Sequence, residues 1–179
     1  MPRRQSPLPS IWLVSDARND AVLERALARL PRGSGLIFRH YYLPPPERRA
    51  RFVALATIAR ARGQRVVLAG DARLARAWRA DGAYGAPSLI AKGPALLRLV
   101  TVHSLREIAA ARRARADAVL LSPVFPTRSH PGAATLGTLR FRLLAARAGV
   151  PVIALGGMNL RSARRMGWAR WAAIDGLSA

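Results

Sequence analysis

The sequence predicts an α/β protein, specifically a compact single-domain (β/α)8 TIM barrel, on three observations. Short apolar runs alternate with helical patterns along nearly the whole chain, and eight such runs can be counted. The runs lack the polar alternation of half-exposed strands, so both faces of the sheet should be covered. No G-x-G-x-x-G fingerprint follows the first run, which disfavours an open, doubly wound sheet. Because 179 residues are few for this fold, which typically has ~250, the connections must be lean.

The first half of the chain supplies three strong strand candidates. They are the apolar runs IWLVS (11–15), GLIFRH (35–40) and RVVLA (65–69). Asn19 or Asp20 can cap the helix after the first run, and Pro31 ends it. The prolines 44–46 lead into the next helix, and Gly63 is its expected C-terminal cap. These signals predict two consecutive βα units.

The second half continues the alternation with a weaker start. Its strand candidates are 82–86, which is weak, 97–102, 117–122, 151–155 and 168–174, and its helix candidates include 71–80, 139–148 and 160–166. Ser104 and Glu107 match the S-x-x-E capping box that opens a further helix. The segment 123–135 is rich in Pro, Gly, Ser and Thr, and is therefore predicted to be a long loop. We assign 11–179 to the barrel and 1–10 to a disordered or extended N-terminal segment.

The composition excludes several classes of protein. No cysteine is present, which rules out disulfides, thiolate metal sites and cysteine nucleophiles. No apolar run approaches the ~20 residues of a membrane span, and no apolar segment of a secretory signal follows the basic N-terminus. A soluble cytoplasmic protein without membrane contact is the expectation.

The net charge of +21 invites a nucleic-acid-binding interpretation. Lys92 is the only lysine, and the 29 arginines are spread over Ala- and Leu-rich helical stretches. This bias indicates solvated helix faces and coding composition more than one selected surface. A positive field also attracts small phosphorylated ligands, so nucleic-acid binding is kept only as an alternative function.

In a barrel of this type the functional groups lie at the C-terminal ends of the strands. That rule selects Ser15 and Asp16, Arg39 and His40, Gly70 and Asp71, Thr101 and His103, residues 122–130, Gly156 and Gly157, and Asp175 and Gly176. Gly156 and Gly157 follow the seventh strand, where backbone N–H groups can hold a phosphate, although a plain tight turn is the alternative. Arg39 ends a buried strand, where a charge needs a partner.

Two further features carry candidate chemistry. The segment PVFPTRSHPG offers Thr127, Arg128, Ser129 and His130 on a loop that can fold over a ligand, or else forms a solvent-exposed connection. Asp71 is equally compatible with a metal ligand and with a helix N-cap. We expect no Ser–His–Asp set, H-E-x-x-H motif or P-loop lysine motif in this sequence. Positioning and electrostatic stabilisation of anions are therefore the expected basis of any reaction.

The chain resembles the thiamine phosphate synthase / TenI superfamily from residue 11 to residue 176. The strongest parts are TVHSLREIAAARRARADAVLLSPVFPTRSH (101–130) and VPVIALGGMN (150–159). The resemblance implies a (β/α)8 barrel that joins hydroxymethylpyrimidine diphosphate to hydroxyethylthiazole phosphate, giving thiamine phosphate and diphosphate. It also implies Mg²⁺ and basic residues around the departing diphosphate, and it allows a homodimer.

The resemblance assigns roles to particular positions of this sequence. Arg39 and Thr101 correspond to diphosphate contacts, and Asp71 corresponds to a Mg²⁺ ligand. On the thiazole phosphate side stand Thr127 and Ser129, the phosphate-binding turn Gly156–Gly157, and His130 in place of the loop lysine. Pro123 occupies the position of the tautomerase histidine, so the synthase branch is the closer relative.

The site also departs from the family pattern. Three polar residues of the family pattern are replaced: its glutamine by Ile37, its lysine by Tyr41 and its asparagine by Gly70. The second metal aspartate is missing, and Leu89 is nearest to its position. Asp175–Gly176 replace the serine-containing phosphate loop of the last unit. These changes leave three functions open. They are a thiamine phosphate synthase, a catalytically weakened barrel that binds a phosphorylated ligand, and a nucleic-acid-binding protein.

Overall fold

Eight parallel strands close into a barrel in the order in which they occur along the chain. The structure is a computed structural model that describes residues 7–129 and 131–178. The strands are β1 (Ile11–Val14), β2 (Gly35–Phe38), β3 (Arg65–Ala69), β4 (Gly82–Gly85), β5 (Leu97–Val102), β6 (Ala118–Leu121), β7 (Val152–Ala154) and β8 (Trp171–Ala173). Strand β1 closes the ring, because Leu13 aligns with Leu36 of β2 and with Ala173 of β8. The predicted (β/α)8 barrel is confirmed.

The connections between the strands are short, as the chain length requires. The helices are α1 (Leu23–Arg29), α2 (Pro45–Ala61), α3 (Ala72–Ala77), α4 (Pro87–Ile90), α5 (Leu105–Arg113), α6 (Gly137–Ala145) and α7 (Leu160–Met166), with 3-10 helices at Ala17–Val22 and Asp175–Leu177. The weak fourth unit is the shortest, since α4 has four residues. Only α2 is long, and it begins with Pro45, whose fixed φ suits a first helical turn.

The start of the first helical connection differs from the prediction. Asp16, not Asn19 or Asp20, caps the 3-10 helix Ala17–Val22. The side chain of Asn19 is buried and donates to the carbonyl oxygens of Val14 and Ile174. Asn19 therefore joins the ends of the first and last strands, which a local capping rule does not anticipate.

The strands are apolar on both faces because the barrel has two apolar layers. Side chains such as Trp12, Val14 and Ile37 fill the interior. Their neighbours along the strands, such as Leu13 and Leu36, pack against the surrounding helices. Burial on both sides explains why the sequence shows continuous apolar runs.

Trp12 fills the end of the barrel opposite the strand C-termini. Its indole Nε1 donates to the carbonyl oxygen of Pro9 at 3.0 Å. A Cβ at Gly35 would lie 2.2 Å from Cε3 of Trp12, so only glycine fits there. Ser10 accepts a hydrogen bond from the Trp171 amide. The end of the predicted N-terminal segment thus contacts the barrel, whereas residues 1–6 lie outside the described residues.

Over the two described ranges, 7–129 and 131–178, no helix has both the length and the apolar character needed to cross a membrane.

Candidate active site

A cavity of about 950 Å³ opens at the C-terminal ends of the strands. Six of the predicted site residues line it, namely Arg39, Thr101, Thr127, Ser129, Gly156 and Gly157. They come from the ends of β2, β5 and β7 and from the loop after β6. Asp71 is not among the lining residues, and His130 lies outside the described part of the chain. The topology thus brings together groups that lie up to 118 positions apart in the sequence.

The Gly156–Gly157 turn has a backbone that side chains would disrupt. Both residues have positive φ angles, 92° and 63°. An added Cβ would lie 2.7 Å from Cα of Pro123 at Gly156, and 2.5 Å from the carbonyl oxygen of Pro126 at Gly157. The β6 loop therefore packs directly on the turn, and the Phe125 amide donates to the Gly156 carbonyl at 3.1 Å.

The same turn carries main-chain donors that can bind an anion. Within the described ranges, the N–H groups of Gly156, Gly157 and Met158 have no hydrogen-bond acceptor. Successive N–H groups in a left-handed turn form a concavity suited to phosphate. Asp175 also lines this part of the cavity, and its carboxylate lies 3.4 Å from Nη2 of Arg128. A cation at the cavity edge thus offsets the negative charge that Asp175 brings.

The β6 loop is joined to the β1 end of the barrel. Nη2 of Arg18 donates to the Ser129 hydroxyl at 2.8 Å, and the Ser129 amide donates to the Thr127 hydroxyl at 3.3 Å. Nε of Arg18 also lies 3.1 Å from Oδ1 of Asp16. Sequence reasoning did not single out Arg18, which has no distinguishing mark among the many arginines of the chain.

Arg39 has the charged partner that its position required. Nη2 of Arg39 lies 3.6 Å from Oδ2 of Asp16, and its guanidinium carbon lies 5.9 Å from the Tyr41 ring centroid. Tyr84 lines the same side of the cavity and is almost fully buried. Burial raises the pKa of the Tyr84 hydroxyl, whereas its hydrogen bond with Thr101 acts to lower it. This wall thus combines one cation with two neutral phenols.

Arg48 supports the Arg39 wall from behind. Nε of Arg48 donates to the Arg39 carbonyl at 2.9 Å, and Nη2 donates to the Ala69 carbonyl at 2.6 Å. Its guanidinium carbon lies 5.2 Å from the Tyr41 ring centroid and 5.5 Å from that of Trp78. Burial lowers the pKa of Arg48. Arg48 thus joins the ends of β2 and β3 and stacks against Tyr41.

Asp71 caps a helix. Its Oδ1 accepts hydrogen bonds from the Arg73 and Leu74 amides, both at 2.8 Å, and this caps α3. Among residues 7–129 and 131–178, no group of three or more His, Asp or Glu side chains is arranged to hold a metal ion. Leu89, which in the sequence stands nearest to the position of the family's second metal aspartate, lines the cavity. Because Mg²⁺ is commonly held by one or two carboxylates together with substrate phosphates and waters, the role of Asp71 as a magnesium ligand stays a prediction.

The structure contains a Ser–His–Asp set, which corrects the interpretation of the sequence. The Ser15 hydroxyl lies 2.8 Å from Nδ1 of His40, and Nε2 of His40 lies 2.8 Å from Oδ1 of Asp20. Ser15 is fully buried and does not line the cavity, so it is not placed as a nucleophile. The strand-end rule selects Ser15 and His40, but the contact with Asp20 depends on the 3-10 helix after β1.

Burial and neighbouring charges determine the protonation of His40 and Asp20. Burial lowers the pKa of His40, and this effect outweighs the Asp20 carboxylate, which acts to raise it. Burial alone would raise the pKa of Asp20, but hydrogen bonds with His40, Arg51 and Tyr42 bring it below its ordinary value. Burial and the hydrogen bond to Asp20 raise the pKa of Tyr42 to about 12. Both pKa shifts favour a neutral His40 beside an ionised Asp20 at neutral pH.

His103, which the strand-end rule selects but to which the resemblance assigns no role, also lines the cavity. Its Nδ1 lies 2.8 Å from the Ser122 carbonyl oxygen and so donates to it. The His103 amide donates to Oε2 of Glu107 at 2.7 Å. The ring is thereby fixed at the end of β5, where its other nitrogen is the one available to a ligand.

The protein is thus a single-domain (β/α)8 barrel with its candidate active site at the strand C-termini. The family model described as "Thiamine monophosphate synthase" matches residues 11–177. The chain belongs to this thiamine monophosphate synthase family, as the motifs around the β6 loop and the glycine turn predict.

The chain is also similar to individual proteins, and a curated relative is matched over less than half of its length. A protein of Aquifex aeolicus (strain VF5) named "Putative thiamine-phosphate synthase 2" is 34% identical over 74 residues, which cover 41% of this chain and 40% of that protein. The thiamine phosphate pyrophosphorylase of Pyrococcus furiosus superposes with a TM-score of 0.79 at 24% identity, covering 96% of this chain and 88% of its own. The thiamine phosphate pyrophosphorylase of Bacteroides thetaiotaomicron gives a TM-score of 0.60 at 16% identity, covering 93% and 82%. At such identities the solved structures support the fold alone.

Proposed function

We propose that this barrel joins hydroxymethylpyrimidine diphosphate to hydroxyethylthiazole phosphate, releasing thiamine phosphate and diphosphate. One observation carries the proposal: in a chain of this family, a single cavity is lined by Arg39 after β2, Thr101 of β5, Thr127 and Ser129 of the β6 loop, and the Gly156–Gly157 turn after β7. Arg39 and the glycine turn follow strands that are not neighbours in the barrel, and so offer separate places for two anionic groups. A volume of about 950 Å³ lies in the range of small-molecule sites, which are roughly 300–1,000 Å³.

The reaction needs charge stabilisation more than proton transfer. The bond between the pyrimidine methylene carbon and the diphosphate oxygen breaks, and both electrons leave with the diphosphate. The thiazole nitrogen then donates its lone pair to the methylene carbon, which forms the new C–N bond. No proton is gained or lost at the reacting atoms, so a cavity with few carboxylates suits this chemistry.

Each side of the cavity has its own part in this scheme. Arg39 and the Thr101 hydroxyl bind the diphosphate and stabilise the charge that it gains as it leaves. The N–H groups of Gly156 and Gly157, with the hydroxyls of Thr127 and Ser129, bind the thiazole phosphate. The phenol rings of Tyr41 and Tyr84 lie beside Arg39 and offer an apolar wall for an aromatic ring.

A second candidate is a barrel that binds a phosphorylated ligand without turnover. Two observations favour it: the guanidinium of Arg39 already faces Asp16 at 3.6 Å, and Oδ1 of Asp71 is engaged by two amides of α3. Such a protein would be stabilised by inorganic phosphate or diphosphate and would yield no product.

The test is incubation of the purified protein with both substrates, with and without Mg²⁺, followed by detection of thiamine phosphate and diphosphate. Arg39→Ala should lower turnover by about 100- to 1,000-fold, the loss expected when one donor to a developing anionic charge is removed. Arg49→Ala is the matched control, because it removes the same charge from an exposed position of α2 that does not line the cavity. No product from a folded protein in either condition would refute the synthase proposal. Thermal stabilisation by phosphate or diphosphate would then support the second candidate.

A further inference from the structure

The main chain of Arg39 is held by side chains. Its N–H donates to the Ser15 hydroxyl at 2.8 Å, and its carbonyl accepts from Nε of Arg48 at 2.9 Å. Strand β2 has ended one residue earlier, at Phe38. The direction in which the Arg39 side chain leaves the barrel therefore depends on side-chain contacts beyond the last strand pair.

The contact with Ser15 is one link in a longer chain of hydrogen bonds. His40 has a φ of 41°, which is uncommon for a residue with a side chain, and this conformation turns its ring back toward β1. The ring is fully buried and stacks on Phe38, with centroids 4.6 Å apart and planes 5° from parallel. From there it meets Ser15 with one nitrogen and Asp20 with the other. Such a strained and enclosed residue is typical of a functional site.

The hydrogen-bond directions along this chain follow from its ends. Asp20 is an acceptor, so Nε2 of His40 must carry a proton and donate to it. In the neutral ring Nδ1 is then an acceptor, and the Ser15 hydroxyl donates to it. The oxygen of Ser15 remains free to accept the Arg39 N–H. Every group in the chain is satisfied only with this tautomer.

Asp20 is itself fixed by its surroundings. Arg51 of α2 lies 2.7 Å from its Oδ1 and also pairs with Glu24, while the Tyr42 hydroxyl donates to its Oδ2 at 3.0 Å. Together with Arg48, these are the charged and titratable groups from α2 and the β2 loop that face His40. The far end of the chain is thus anchored on a rigid helix.

From these contacts we propose that Asp20, His40 and Ser15 form a positioning relay that holds the Arg39 main chain and so aims its guanidinium into the cavity. The relay lies behind the cavity wall, because Ser15 and His40 are buried and neither lines the cavity. Its value to binding rests on the proposed anion-binding role of Arg39, and its geometry can be tested independently of that role.

The first experiment determines the tautomer of His40 from the NMR signals of the histidine ring nitrogens. The chain has three histidines, and His40→Asn identifies the His40 signals. At neutral pH we expect His40 to be neutral, with a proton on Nε2 and none on Nδ1. A protonated Nδ1, either as the other tautomer or as the cation, would overturn the relay.

The second experiment is a double-mutant cycle with inorganic diphosphate as the probe. Ser15→Ala should speed hydrogen exchange of the Arg39 amide and weaken diphosphate binding by about tenfold, a coupling of the size found within one hydrogen-bond network. In an Arg39→Ala background the same change should alter binding by no more than about twofold, because the group it positions is gone. An equal loss in both backgrounds would mean a merely structural role and would refute the proposal.

Two further variants keep the test decisive. Asp20→Asn should weaken diphosphate binding less than Ser15→Ala, because the amide oxygen still accepts from His40; it replaces Ser15→Ala in the cycle if that variant fails to fold. Glu47→Gln is its control, since it neutralises an exposed carboxylate of α2 that does not line the cavity, and it should leave diphosphate binding unchanged. If the unmodified protein binds no diphosphate, the proposed function fails, and the His40 tautomer and the Arg39 amide exchange still decide for or against the relay.

Discussion

The two sides of the cavity offer different kinds of hydrogen-bond donor to an anion. The β7 side offers main-chain N–H groups on a glycine turn against which the β6 loop packs. The β2 side offers one guanidinium, whose direction depends on hydrogen bonds among side chains that directly follow β1 and β2 or lie on the 3-10 helix Ala17–Val22 and on α2. A backbone site needs only glycines in a short motif, whereas a side-chain site needs residues from several elements. The first kind can therefore be found from a short stretch of sequence, whereas the second kind cannot.

The largest expected effect lies on the glycine side. Gly157→Ala should cost about 3 kcal/mol of unfolding free energy, because it adds left-handed strain to a Cβ that meets the Pro126 carbonyl oxygen at 2.5 Å. Denaturant unfolding with linear extrapolation measures the loss.

Gly132→Ala is the matched control for that variant. Gly132 has a φ of 76° and nothing within 4 Å of an added Cβ. Gly132→Ala should therefore lower the unfolding free energy only by the backbone strain, about 1 kcal/mol. Equal losses in the two variants would show that the β6 loop does not press on the glycine turn, and the contrast between the two sides of the cavity would fail.

A smaller effect on the arginine side depends on pH. The lowered pKa of His40 means that the unfolded chain takes up a proton near pH 6.5 while the folded relay resists it. Stability should therefore be fully present above about pH 6.5 and fall as the pH drops toward the folded-state pKa, by at most about 1.4 kcal/mol for each unit of lowering. Unfolding free energies measured from pH 8 to pH 5 test this.

His40→Asn supplies the comparison for the pH series. Asparagine tolerates a positive φ better than most residues and does not titrate, so its stability should vary less with pH than that of the parent protein. The lowered pKa of Asp20 adds a second loss only below about pH 3.8, outside this window. Parallel pH profiles for the two proteins would contradict a neutral, buried His40.

The same division explains how much could be predicted from the sequence. The barrel follows from eight apolar runs, and the Gly156–Gly157 turn follows from a motif of adjacent residues. The partner of Arg39 and the contact between His40 and Asp20 depend on the twist of the 3-10 helix and on the register of β1 with β2. Asp71 could be assigned two roles because capping and metal binding use the same oxygen atoms, and only coordinates place those atoms against the α3 amides.

The smallest predicted effect separates those two roles of Asp71. Asp71→Ala should cost about 1 kcal/mol of unfolding free energy, the usual value of a lost N-cap, and Asp71→Ser should recover most of it because a hydroxyl can accept the same amide hydrogen bonds. The serine variant keeps the cap and removes the carboxylate. If product formation in Asp71→Ser retains the parent rate and the parent response to Mg²⁺, Asp71 acts as a cap. If stability is recovered while the response to Mg²⁺ is lost, the carboxylate binds the metal, and the arginine side of the cavity keeps more of the family's diphosphate site than its hydrogen bonds indicate.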